Sequence, residues 1–212
     1  ISGGRKMMNL YNPNNRKISK KQRNSLSNPM FPTTPEKLND SSKITESNIT
    51  ALAGNWIEAV GAIITAIGST PSTIFTEQTL TDFNLIGNIL EAGGSAIASE
   101  SEDALLDRVG EQLQAIGNLT VVAGILNNNE QSSQLLEKQG DLLQLVGIGI
   151  TINTQGKQTL LETISNTGDI IQLLGTVIQI YAENDAKEGV VMNAVGAWIQ
   201  AVGAVITALA TD

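Results

Sequence analysis

The chain of 212 residues has no cysteine and no histidine. The first absence removes a disulfide frame, a thiolate metal site and a cysteine nucleophile, and leaves the redox compartment open. The second removes imidazole bases, Ser-His-Asp triads and His-ligated metals. Aromatic residues are only 3% against 41% hydrophobic overall, so an aliphatic core of Ile, Leu, Val and Ala is expected. Also missing are a phosphate-binding glycine loop ending in Lys-Ser/Thr, a dinucleotide fingerprint after a strand, and a calcium loop. Few catalytic schemes survive these gaps, and the sequence points away from an enzyme. It suggests no catalytic residue, no metal and no cofactor.

Positive charge is scarce outside the first part of the chain. Residues 1–43 hold nine of the thirteen Lys and Arg and two acids, a net +7, whereas residues 44–212 carry −15. A basic tail on an acidic body suggests contact between them, or between neighbouring copies. Residues 8–42 are rich in Asn, Ser, Pro and Lys and read as a disordered or extended tail. Asn28-Pro29-Met30-Phe31-Pro32 is its one sticky point. The cluster Arg16-Lys17-Ile18-Ser19-Lys20-Lys21-Gln22-Arg23 suits an anionic lipid or nucleic acid. Its single nearby aromatic (Tyr11) and the acidic body argue against dedicated nucleic-acid binding. Ser2-Gly3-Gly4-Arg5-Lys6-Met7 back-translates to a stretch containing AGGAGG, a bacterial ribosome-binding sequence, just before an AUG. Residues 1–6 are therefore expected to be an upstream leader read in frame, or an expression scar, with translation starting at Met7 or Met8. A natural protein whose mass begins at Ile1 or Ser2 would overturn this. No apolar run follows the basic residues near Met8, so no secretory signal is seen and a cytoplasmic or spore-associated location is expected.

What is abundant is a paired glycine. GNWIEAVG (54–61), GNILEAGG (87–94), GEQLQAIG (110–117), GDLLQLVG (140–147), GDIIQLLG (168–175) and GAWIQAVG (196–203) share Gly at both ends and Glu or Gln fifth. Seven residues are two helical turns, so one helix is written six times. Turn-like clusters at 68–72, 99–102, 127–129, 153–156 and 183–185 place the helices near 43–68, 74–98, 102–126, 130–152, 157–183 and 186–210. The expected fold is all-α: an antiparallel bundle or array of six similar helices over 43–212, behind a tail over 1–42.

A mid-helix glycine costs about 1 kcal/mol against alanine. Twelve cost on the order of 10 kcal/mol, comparable to a domain's whole stability. Close helix approach is the physical compensation. The helix-packing residues are therefore expected to be Gly54, Gly61, Gly87, Gly94, Gly110, Gly117, Gly140, Gly147, Gly168, Gly175, Gly196 and Gly203. The fifth helix shows their setting. Ser165, Asp169, Gln172, Thr176, Gln179 and Glu183 form one narrow polar stripe, apolar residues cover most of the remaining girth, and Gly168 and Gly175 lie on the flank between. Helices this apolar are sandwiched, or they face further copies or lipid. The recurring Glu58, Glu91, Gln114, Gln144, Gln172 and Gln200 read as a solvated or hydrogen-bonded stripe. A carboxylate pair, Glu58 with Glu91, is the catalytic alternative, but four of the six copies are Gln and cannot transfer protons. Trp56 and Trp198 take the same motif position and are expected at the ends of a core or at a subunit contact.

Residues 189–211 carry no charge over 23 positions, long enough to span a bilayer. Asn193, Gln200 and Thr207 nevertheless fall in a row on one face. The other helices carry mid-span acids, Glu58, Glu91, Asp141 and Asp169, each costing about 2.5–3.5 kcal/mol in lipid. A water-soluble assembly is the expectation on that ground.

The motif G-[AN]-W-I-[EQ]-A-V-G, at 54–61 and 196–203, resembles small repetitive proteins of spore-forming bacilli with tandem Gly-x-Trp-Ile helices, a domain of unknown function. The likeness covers 43–212, and it implies no activity or site residue. The function expected is that of a structural, self-associating helical-repeat protein, a homo-oligomer or polymer such as a filament, layer or spore-associated component. In it the basic tail contacts the acidic body of a neighbour. The alternative is a membrane-active amphipathic protein, a pore former or bacteriocin-like toxin.

Overall fold

The computed structural model describes residues 35–102, 104–152, 158–182 and 188–211. The basic cluster at 16–23, the segment at 28–32 and the proposed start at Met7 lie outside them. Six helices and no strand occur among the described residues: α1 (Pro35–Gly68), α2 (Glu77–Ser101), α3 (Leu105–Ile125), α4 (Glu130–Thr151), α5 (Leu160–Ala182) and α6 (Gly189–Leu209). The chain divides into two compact units, Ile1–Ser41 and Ser42–Asp212. Of the first, residues 35–41 are described, as helix opening on Pro35, a residue whose missing N–H suits a first turn. The expected extended tail reached to 42. The account below concerns the second unit.

The helix starts follow the local chemistry. Thr76 caps α2 by accepting from the Thr79 amide, and Asn129 caps α4 by accepting from Ser132. Thr159 and Glu162 form a reciprocal capping box ahead of α5, with the Glu162 amide donating to Thr159 Oγ1 and the Thr159 amide to Glu162 Oε2.

The helices make a ring. α2 packs on α3, α3 on α4, α4 on α5 and α5 on α6, while the glycine contacts below seat α1 on α2. The ring closes through alanines: Ala59, Ala62 and Ala66 of α1 form one buried cluster with Ala197, Ala201, Ala204 and Ala208 of α6. α1 and α6 run antiparallel. Asn55 Nδ2 donates to Thr211 Oγ1 at one end (2.7 Å), and Trp198 Nε1 donates to Thr70 Oγ1 toward the other (3.0 Å).

A helix in a ring touches its neighbours with two flanks, so it has one face inward and one outward. On α6, at about 100° per residue, Gly196 and Gly203 form one flank and Ala197, Ala201, Ala204 and Ala208 the other. Asn193, Gln200 and Thr207 lie between them, and Val191, Val195, Trp198, Val202 and Leu209 lie opposite, exposed. The expected core of Ile, Leu, Val and Ala is therefore corrected. Among the described residues the buried hydrophobic ones are alanines with the single addition of Ile148, and the large aliphatic side chains stand largely on the outside. The cause is the narrow flank, where only Gly and Ala let two helices approach.

Candidate functional site

The motif glycines meet in reciprocal pairs. A methyl on Gly54 would stand 2.8 Å from the Gly94 carbonyl oxygen, and one on Gly94 would stand 2.6 Å from that of Gly54. Gly61 meets Gly87, Gly110 meets Gly147, Gly117 meets Gly140, Gly168 meets Gly203, and Gly175 meets Gly196. In every pair, one partner ascends by seven as the other descends by seven. Three antiparallel hairpins (α1/α2, α3/α4 and α5/α6) are thus zipped backbone to backbone. Gly68 and Gly124 extend two of the rows against Asn84 and Ser133.

With the flanks so occupied, the Glu/Gln stripe turns inward. Glu58, Glu91, Gln114, Gln144, Gln172 and Gln200 are only 4–9% exposed. They are joined by Thr176 of the stripe and by residues that motif reading did not single out: Asn88, Ser95 and Asn118, all buried. A signal was available, because each lies three or four residues from a motif Glu or Gln and so shares its face. Gln112, which stands in the third motif where the other copies have Trp, Ile or Leu, points outward, and its neighbour Glu111 faces in.

The interior has a wide end, a waist and a narrow end. At the wide end is a cavity of about 400 Å³ lined from all six helices, with Thr65, Asn84, Asn88, Glu91, Glu137, Asp141, Gln179 and Asn193 among its walls. At the waist, where the wide cavity ends on Gln144 and Gln200, both of which line it, Gln200 Nε2 donates to Gln144 Oε1 at 3.0 Å, joining α6 to α4. Asn118 is on the inner face of α3 between Gln114 and Val121, hence between the two ends. At the narrow end, Asn55, Glu58, Glu111, Gln114, Asp169, Gln172 and Thr207 close around a cavity of about 10 Å³, room for about one water.

Hydroxyls serve the inward carboxylates. Thr65 Oγ1 donates to Glu91 Oε1 (2.6 Å), Ser95 Oγ to Glu58 Oε2 (3.0 Å), Thr207 Oγ1 to Asp169 Oδ1 (3.0 Å) and Ser133 Oγ to Glu137 Oε1 (2.8 Å). Three of these bonds cross between helices of one hairpin. Glu111 Oε2 and Asn118 Oδ1 are buried with no hydrogen-bond partner. Glu58 and Glu91, the candidate carboxylate pair, line different cavities. Among the described residues no group of three or more acids is placed to hold a metal ion.

The outside is the reverse. Trp56 and Trp198 are 40% and 43% exposed, so neither fills the end of a core. They stand with Leu52 and Val60 on α1, Ile86 and Ile89 on α2, Ile116 and Leu119 on α3, Leu142 and Val146 on α4, and Ile170, Leu174 and Val177 on α5. On α2 to α6, the exposed charges Glu77, Asp82, Glu100, Arg108, Glu130, Glu162 and Glu188 fall in the connections or in the first or last two turns of helices. The middle of the ring therefore carries a largely apolar belt that includes residues of all six helices and is interrupted on α4 by the half-buried Lys138 and the exposed Gln139.

No curated protein and no solved structure matches the chain. Residues 49–208, which hold all six helix motifs and both cavities, match a family of unknown function, and the chain belongs to that family, DUF6944.

Proposed function

We propose that the ring is a membrane-embedded bundle that carries a polar interior through a lipid bilayer, within the pore-forming class. The observation that carries this reading is the inversion: buried Glu, Gln, Asn, Ser and Thr inside, and a belt rich in exposed Ile, Leu, Val and Trp outside, interrupted on α4 by Lys138 and Gln139. In water so large an apolar surface marks an interaction site. A protein partner covers one side of a molecule, whereas this belt includes every helix. A bilayer contacts the full circumference and requires backbone polar groups to be satisfied within helices, as they are here.

The helix lengths fit. Glu46–Gly68 and Gly189–Leu209, with mean hydropathies of 1.4 and 1.7, are long and apolar enough to cross a membrane. The other helices fall below that level because averaging over a helix mixes its polar inner face with its apolar outer one. The mid-span acids that argued for a water-soluble assembly line the cavities instead of the belt, and bundle interiors are where intramembrane acids reside.

Liposome reconstitution tests the proposal. The protein is expected to stay with vesicles through an alkaline carbonate wash. Its two tryptophans, both on the belt, are expected to be quenched by lipids brominated along the acyl chains. Protein released by the wash with unquenched fluorescence would sink the reading. Self-association as a filament, layer or spore-associated component uses the same surface, and ordered polymers in lipid-free, detergent-free buffer would favour it. The resemblance to repetitive proteins of spore-forming bacilli suits either setting.

A further inference from the structure

We infer that the interior passes small cations, and that the waist of Asn118, Gln144 and Gln200 is the step that strips and selects them. This rests on the membrane reading above and names what crosses. The sign of the charge comes first. The described residues lining the two cavities include six acids (Glu91, Glu137 and Asp141 at the wide end; Glu58, Glu111 and Asp169 at the narrow) and no Lys or Arg. Where they are ionised, acidic walls in a low-dielectric surround focus a field that concentrates cations and repels anions.

A second observation is independent of the acids. Asn118 is 3% exposed, yet its Oδ1 has no hydrogen-bond partner, and Glu111 Oε2 is buried without one as well. A buried orphan in a native fold calls for an explanation, such as an absent water or ion. Both lie on the inner face of one helix, Asn118 at the waist and Glu111 in the narrow cavity, and the Asn118 amide oxygen can only accept. Oxygens without donors suit a cation or the protons of a water, and offer nothing to an anion.

Size narrows the class. The wide cavity, at about 400 Å³, holds a few tens of waters at about 10–15 Å³ of accessible space each, enough for a hydrated ion. The narrow cavity, at about 10 Å³, holds one. A cation going from one to the other exchanges water for the amide oxygens of the waist. Conduction also requires sites weak enough to release the ion, and no described group of three acids is close enough to trap a metal. Organic cations are too large for the narrow end, which leaves protons and alkali ions.

The experiment uses the full chain in planar bilayers and vesicles, with insertion verified by tryptophan quenching. Under a KCl gradient the reversal potential is expected to shift toward the potassium potential. Vesicles with an internal pH dye report protons, and vesicles under a potassium diffusion potential report alkali ions; flux in either arm supports the proposal. Asp169→Asn is expected to lower the cation-over-anion preference severalfold, and Asn118→Leu to reduce the current with insertion unchanged. If Asn118→Leu fails to fold, Gln144→Glu, of similar shape, is expected to raise the preference. A reversal potential toward chloride, or no current from inserted protein, overturns the proposal and leaves the membrane reading standing. Absence of insertion removes both.

Discussion

Two seams of the ring, the one inside each hairpin and the one that closes α6 on α1, are built differently. Within a hairpin the helices meet glycine to glycine, close enough that a methyl would lie 2.5–2.8 Å from the facing backbone at Gly94, Gly54 and Gly61. Where α6 returns to α1, alanines meet and bury completely, Ala59 and Ala66 to 0% exposure. A Cβ that would be excluded at the first seam fills the second. The glycine seam gains by backbone approach over the length of two antiparallel helices, and its cost is helix propensity. The alanine seam has no such cost and packs side chain on side chain. It follows that each hairpin is the tighter unit and that the closing seam yields before a glycine seam under load.

The largest test breaks a glycine seam. Gly175→Val places a branched side chain where even a methyl would stand 2.6 Å from both the Gln200 amide nitrogen and the Gly196 oxygen. Neither is the movable end of a side chain, so α5 and α6 must part. A loss of about 4 kcal/mol or more is expected, read as collapse of the cooperative thermal transition in detergent by circular dichroism. An unchanged transition would show that the seam is not what holds the hairpin.

The next leaves both seams intact. Val202→Glu lies on the outer face of α6, 52% exposed, and touches neither row of small residues. In detergent the transition is expected to move little, because an exposed substitution alters stability by about 0.5 kcal/mol or less. In a bilayer the same charge costs about 2.5–3.5 kcal/mol, and the fraction of protein surviving a carbonate wash is expected to fall. Equal retention of variant and parent would place something other than lipid against this face.

Ala201→Leu attacks the closing seam. Ala201 is buried among Ala59, Ala62 and Ala66, and overfilling such a site costs about 1–3 kcal/mol. Because a side chain can shift where a backbone cannot, the expected drop in melting temperature is smaller than for Gly175→Val. The reverse order would make the alanine seam the stronger one.

Helix number was legible because a repeated motif and turn clusters are local signals. Five of the six expected helices agree with the structure to within a few residues at each end; α1 starts earlier, at Pro35, inside the stretch read as tail. The flank position of Gly168 and Gly175 was legible on a helical wheel as well. Which way the polar stripe points was not. A wheel gives angles about one axis and has no centre for the ring, so Gln172, Thr176 and Gln179 look alike whether they face solvent or each other. The clue lay in comparing both flanks of one helix. On α6, Gly196 and Gly203 bracket Asn193, Gln200 and Thr207 on one side and Ala197, Ala201 and Ala204 bracket them on the other. Small residues on both sides of a polar stripe mean close neighbours on both sides, and the stripe between them is enclosed. The two orphan oxygens at Glu111 and Asn118 were beyond sequence reading, since whether an acceptor lacks a donor depends on which helices lie opposite.

The smallest effect separates packing from propensity most cleanly. Gly93 and Gly94 are neighbours on α2 and carry the same intrinsic helix penalty. A methyl on Gly94 would stand 2.5 Å from the Glu58 amide nitrogen, whereas one on Gly93 would find nothing within 4 Å. Gly93→Ala is therefore expected to stabilise the protein by about 0.5–1 kcal/mol, the helix propensity regained, and Gly94→Ala to destabilise it. Gly149, whose nearest neighbour would be Leu173 Cδ1 at 3.9 Å, is expected to follow Gly93. If alanine is stabilising at both 93 and 94, the paired glycines are not there for close approach, and the contrast between the two seams loses its physical basis. If the signs differ between adjacent residues of one helix, propensity is the same for both and only the facing backbone of α1 accounts for the difference.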